Sequence, residues 1–214
     1  MKKDRLVNHG ELRKAGYAAL IEQYELDVIP NWHTSWVTSG SVHRVISRGK
    51  VVEEIFPYKY WPGDTLGGHL EFALKYDGTN LGILASLFHK IEEEDFLAYV
   101  RSKPIGKYVR RLWFLYEFLT GRRLPLEDLN RGNYVDLLDP DRYYTLALPH
   151  RVRRQRINDN LLGDRRFCPI VRRTDILRGF EKVDLPERCR KIVSRYPPEL
   201  LRRAVSYLYT RETK

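Results

Sequence analysis

Apolar residues recur at helical spacing over several stretches of the chain. From Glu11 to Tyr24, Leu12, Ala15, Ala19, Leu20 and Tyr24 fall near a 3.6-residue period and predict a first helix, weakened in its middle by Gly16. Val28–Trp32 reads as a turn. The β-branched runs Val42–Ile46 and Val51–Phe56 flank a Gly-containing connection, Ser47–Lys50, and predict a β-hairpin. A helix followed by a hairpin is compatible with a winged-helix-like element, although Trp32–Ser41 is short for a recognition helix. Pro57–Gly63 carries three aromatics, Tyr58, Tyr60 and Trp61, and reads as an ordered loop.

Four further helices follow. One spans Leu66–Tyr76 behind an Asp64-Thr65 cap, and the next spans Leu81–Ile91 behind Thr79-Asn80, the two forming an αα-hairpin. A third, Glu92–Arg101, opens with four acidic residues at the positive end of its dipole. The fourth, Lys107–Thr120, ends at Gly121. With Tyr108, Trp113, Phe114, Tyr116 and Phe118 it is apolar over most of its circumference and predicts the central helix of a bundle. Residues 124–173 lack helical period; Val152, Ile157, Leu161, Phe167 and Ile170 would hold this segment on the surface. Helix returns at Thr174–Phe180, Pro186–Ser194 and from Pro198 onward. The closing stretch, Arg202–Lys214, keeps Ala204, Val205, Leu208 and Tyr209 at helical spacing with no capping Gly or Pro, as in the front part of a longer protein or a tail docked on a partner. The expected fold is therefore mainly α: a helical bundle with a small N-terminal hairpin and an irregular Arg-rich segment. Its parts are residues 1–60, 61–123, 124–173 and 174–214 of one continuous body.

Charge sharpens this picture. The net +10 is all C-terminal: residues 1–100 carry 11 Lys/Arg against 14 Asp/Glu, whereas residues 101–214 carry 27 against 14. Arg151, Arg153, Arg154, Arg156, Arg165, Arg166, Arg172 and Arg173 form the densest part. They read either as a solvated, internally paired surface or as a contact for an anionic partner such as nucleic acid, phosphate or an acidic protein face. Arginine suits planar, bidentate contacts to carboxylate or phosphate. Tyr58, Tyr60 and Trp61 read either as packing under their loop or as interface anchors.

Composition excludes other classes. With 43% hydrophobic residues a substantial core is expected. Met1-Lys-Lys-Asp-Arg-Leu6 lacks the apolar stretch of a signal peptide, and no run approaches the ~18 apolar residues of a membrane span, so the expected location is cytoplasmic, away from membranes. The two cysteines, Cys168 and Cys189, lie far apart and read as reduced thiols. His33, His43, His69 and His89 form no ligand pair and no Ser/His/Asp set legible in sequence; they read as surface or capping residues, and no metal or catalytic residue is assigned.

Specific strings then stand out: Leu20-Ile-Glu-Gln-Tyr24, Val28-Ile-Pro-Asn-Trp32, the run Tyr60–Leu81, Arg111-Leu-Trp-Phe-Leu-Tyr-Glu-Phe-Leu-Thr-Gly121, Gly132-Asn-Tyr-Val135, Asn158-Asp-Asn-Leu-Leu-Gly163 and Phe167-Cys-Pro-Ile-Val-Arg-Arg-Thr174. Together they resemble the N-terminal region of a group of bacterial Fic (Fido) family proteins, over nearly the whole chain. Thr210–Lys214 resembles the lead-in to that family's inhibitory helix. The resemblance implies a parent that transfers AMP from ATP to protein hydroxyls, with ATP and Mg²⁺ held by a catalytic domain. That domain's His-Pro-Phe-x-x-Gly-Asn-Gly-Arg loop is absent here; the nearest fragment, Arg131-Gly-Asn133, lacks the histidine and the second glycine. The expectation is thus a non-catalytic accessory module that recognises a partner or target and packs on a Fic catalytic domain in cis or in trans. The alternative is a nucleic-acid-binding regulator using the helix-hairpin and the Arg-rich segment.

Overall fold

A computed structural model describes residues 11–212, so the segment Met1–Leu6, expected to carry no signal peptide, and the closing Thr213 and Lys214 lie outside the described residues. The chain divides into two units, one up to Val171 and one from Arg172. The expected mainly helical bundle with one hairpin does not hold. The described residues form eight α-helices and two mixed sheets, a combined α and β architecture.

The difference begins at Gly16. Its φ of 59° breaks the predicted first helix, leaving β1 (Leu12–Ala15) before it and only α1 (Tyr17–Gln23) after it. A Cβ on Gly16 would lie 2.0 Å from Asp77 Oδ2, and the Tyr17 N–H donates to that same oxygen at 3.0 Å, so the break is fixed by a long-range partner that periodicity does not register. β2 (His33–Thr38) occupies the stretch where a recognition helix would be needed. The expected hairpin forms as β3 (Arg44–Arg48) and β4 (Val51–Phe56) around Gly49, φ 65°. It sits in a four-stranded sheet of order β1-β2-β4-β3, in which β2 and β4 run parallel, so the described residues form a mixed sheet rather than a winged-helix arrangement.

Helices follow. Thr65 caps α2 (Leu66–Phe72) by accepting from the Gly68 N–H at 3.1 Å, and a π-helical turn, Ala73–Asp77, continues it to Gly78. Asn80 likewise caps α3 (Leu81–Lys90). α4 (Glu93–Ser102) and α5 (Lys107–Thr120) complete the core, where Phe88, Phe96 and Tyr116 pack with ring centroids 4.8 to 5.2 Å apart. α5 is central as expected, yet it also buries Arg110 and Arg111, which donate to the carbonyls of Asn133 and Asp136 at 2.7 and 2.8 Å. The Arg-rich segment is not irregular throughout: β5 (Val135–Asp136), β6 (His150–Val152) and β7 (Ile157–Asp159) form a three-stranded sheet of order β5-β7-β6. In the second unit, Thr174 caps α6 (Asp175–Glu181), Asp184 caps α7 (Leu185–Val193), and α8 runs Pro198–Glu212.

Close packing of α2 on α4 depends on Gly67, where an added Cβ would lie 2.1 Å from the Tyr99 ring. Gly67→Ala should lower stability by roughly 1–3 kcal/mol through overpacking, measured as a lower urea midpoint. Gly82→Ala, whose Cβ meets only Asn80 Oδ1 at 3.5 Å, should leave the midpoint unchanged or raise it.

Candidate interaction site

The eight arginines singled out in the sequence fall in both units and differ in how far they are engaged internally. Arg154 is clamped to Glu117 on α5 by its Nε, at 3.1 Å, and its Nη2, at 2.9 Å, while it also donates to the carbonyls of Leu124 and Leu126 and to Asp128. Only 11% of the Arg154 side chain and 16% of Glu117 are exposed. Arg156 gives all three guanidinium nitrogens to the carbonyls of Leu129, Asn130 and Gly132, and Arg165 donates to the Thr120 carbonyl at 3.0 Å. Arg173 pairs with Glu181 at 2.6 Å within the second unit, where half-buried Arg172 also lies. Arg151, Arg153 and Arg166 are exposed, as is Arg165 despite its bond to Thr120.

Two of these exposed arginines, Arg151 and Arg153, flank a depression of about 470 Å³ together with the adjoining His150 and with Arg122 and Arg123, which sequence reasoning did not place there. The Gly121 turn, φ 70°, carries Arg122 and Arg123 off the end of α5, and the Arg154 clamp sets β6 beside them. This convergence is a product of tertiary structure; the Arg122-Arg123 doublet just after a helix-ending glycine was its only sequence signal.

Of the loop aromatics, Tyr58 and Tyr60 are 57% and 37% exposed. Trp61 is half-buried, with the Arg13 guanidinium 4.3 Å over its ring. Tyr60 borders a cleft of about 820 Å³ that is also lined by Lys59, Lys75, Tyr76, Tyr99 and Lys103. Its tyrosine hydroxyls, lysines, Glu71 and Asp95 can meet a mixed polar and apolar surface.

The histidines need correction, because His33 and His69 are buried. The His69 Nδ1 has no partner among the described residues, and burial lowers its pKa. His33 Nδ1 meets Asp77 Oδ1 at 3.1 Å and His33 Nε2 meets Glu54 Oε2 at 2.8 Å, while His43 reaches the other Glu54 oxygen at 2.7 Å. Ser35 also hydrogen-bonds Asp77. The alternation His33-x-Ser35, which puts both side chains on one face of a strand, was the available clue, and it is legible only once β2 is known to be a strand. Burial alone would lower the His33 pKa, but bonding and charge from Asp77 and Glu54 outweigh it and hold it above the ordinary value. Asp77 is pushed up by its burial, against the His33, Ser35 and Tyr17 donors that pull it down. The network ties sheet, α1 and the π-turn together, with Asn31 donating to the Asp77 carbonyl at 3.0 Å.

No group of three or more His, Cys, Asp or Glu side chains that could hold a metal occurs among the described residues. Cys168 is half-buried and Cys189 exposed. No described helix is long and apolar enough to cross a membrane. Comparison of the chain with protein-family profiles, curated proteins and solved structures finds no match.

A raised folded-state pKa at His33 means that its contribution to stability is complete below the unfolded value of about 6.5 and is lost as pH rises through the folded value. The melting temperature should therefore decline as pH is raised from 6 towards 8, and the decline should be smaller in His33→Asn. A native profile that rises or stays flat across this window contradicts the assignment.

Proposed function

We propose that this chain is a non-catalytic accessory and regulatory module of a Fic-type protein adenylyltransferase, whose second unit packs on a catalytic domain. One observation carries the reading. α6 and α7 bury no residue, and Ile176, Phe180, Ile192, Tyr196, Leu200, Val205 and Leu208 are all about half exposed or more. Helices of this kind hold their apolar faces for a partner, because a row of uncovered aliphatic and aromatic side chains in water forgoes about 25 cal/mol for each Å² left unburied. The resemblance of the chain to Fic N-terminal regions supplies the identity of that partner. The reading gives Tyr58 and Tyr60, exposed on the first unit, to recognition of a target protein. It assigns ATP, Mg²⁺ and the transfer step to the catalytic domain, since no His-Pro-Phe-x-x-Gly-Asn-Gly-Arg string occurs in these 214 residues.

The test is reconstitution. The chain alone, incubated with labelled ATP, Mg²⁺ and cell lysate, should transfer no AMP. A domain carrying the Fic loop, encoded beyond the Lys214 codon or on a neighbouring gene, should label protein and should slow amide exchange in α7 and α8 when joined to or mixed with the chain. Robust labelling by the chain alone, or unchanged exchange in α7 and α8 with the catalytic domain present, overturns the proposal.

A further inference from the structure

We infer that the depression between the end of α5 and strand β6 is a duplex-DNA backbone site, formed by Arg122, Arg123, Arg151 and Arg153 with His150 beside them. This inference is independent of the adenylyltransferase reading.

Arg154, Arg156 and Arg165 are engaged by α5 and by main-chain carbonyls, so the surface charge at this end of the unit comes from a different set. Arg153 makes no side-chain hydrogen bond or ion pair among the described residues. Arg151 lies over the Tyr134 ring at 5.4 Å, and Arg122 lies over Tyr116 at 5.7 Å while giving one nitrogen to the Phe88 carbonyl. Arg123 reaches Asp128 only at 3.5 Å. The two carboxylates nearby, Glu117 and Asp128, already accept from Arg154 at 2.9 and 3.1 Å, so they leave most of the positive charge unanswered.

The lining decides what kind of anion fits. A protein partner needs an apolar centre with charge moved to the rim, whereas the side chains lining this depression are arginines, His150 and the internally paired Glu117, with Val152 as the one aliphatic side chain among them. Interfaces with DNA are far more polar and positively charged. Single strands would need open aromatic faces for base stacking, but Tyr116 and Tyr134 are already covered by arginines. Exposed guanidiniums on a rigid turn and a strand, with no element shaped to enter a groove, match the phosphates of a duplex without reading its sequence.

Fluorescence anisotropy of a labelled mixed-sequence DNA duplex with the full chain tests this. With three or four phosphates neutralised, affinity should fall roughly 40- to 150-fold when salt rises from about 50 to about 200 mM. The triple variant R123A/R151A/R153A should keep its melting temperature, because those side chains hold no internal ion pair beyond the long Arg123 contact, and it should lose about one unit of log–log salt slope per arginine removed. A charge-matched variant of the second unit, R195A/R202A/R203A, should bind almost as the native chain does. Absence of binding at 50 mM salt overturns the inference. So does equal weakening by both variants, which would mark net charge alone, and so does displacement of the DNA by poly-glutamate at equal charge concentration, which would mark a carboxylate partner.

Discussion

The Glu117 carboxylate on α5 is the point on which the first unit turns. It accepts from the Trp113 indole N–H at 2.9 Å, the Leu124 N–H at 3.0 Å, the Gln155 amide at 2.6 Å and the Arg154 guanidinium. A carboxylate offers about four acceptor positions, and here all are taken by groups from three parts of the chain: the helix itself, the turn after it, and the segment some forty residues on. Hydrogen bonds to a charged group are worth about 1.5–3 kcal/mol each, more than neutral ones, and this set is largely shielded from water. Arg154 extends the clamp by holding the carbonyls of Leu124, which also accepts from the Leu126 N–H, and of Leu126, both outside any strand or helix.

The clamp explains how a basic segment can be both structural and available. Along β6 and the turn that follows, alternate arginines face opposite ways: Arg154 and Arg156 turn inward onto carbonyls and Glu117, while Arg151 and Arg153 are left in solvent. The turn Arg153–Arg156, in which Arg156 has a φ of 50°, thus engages some guanidiniums internally and leaves Arg153 in solvent. A second polar knot, His33 with Asp77 and Glu54, fastens the four-stranded mixed sheet to α1 and the π-turn. Burying these groups in a hydrogen-bonded cluster avoids the penalty that each would meet alone.

Local signals in the sequence carried far. α3, α4 and α5 lie within a residue or two of their predicted bounds, because apolar period, the Asn80 cap and the Gly121 stop all act over a few residues. What stayed hidden was non-local. Leu12–Ala15 has apolar spacing that suits a helix, and only pairing with β2, together with the approach of Asp77 to Gly16, makes it a strand. The parallel pairing of β2 with β4 crosses β3 and leaves no mark on either strand. At the candidate site, the sequence could count arginines but could not tell Arg154, held by a carboxylate 37 residues away, from its exposed neighbour Arg153.

A double-mutant cycle on Glu117→Ala and Arg154→Ala, read by urea unfolding of the full chain, tests the clamp most directly. The structure predicts that each single variant is strongly destabilised and that the double variant is little worse than either, a coupling of about 1.5–3 kcal/mol. Additive losses, with coupling below about 0.5 kcal/mol, would mean that Glu117 does not hold the arginine segment in place.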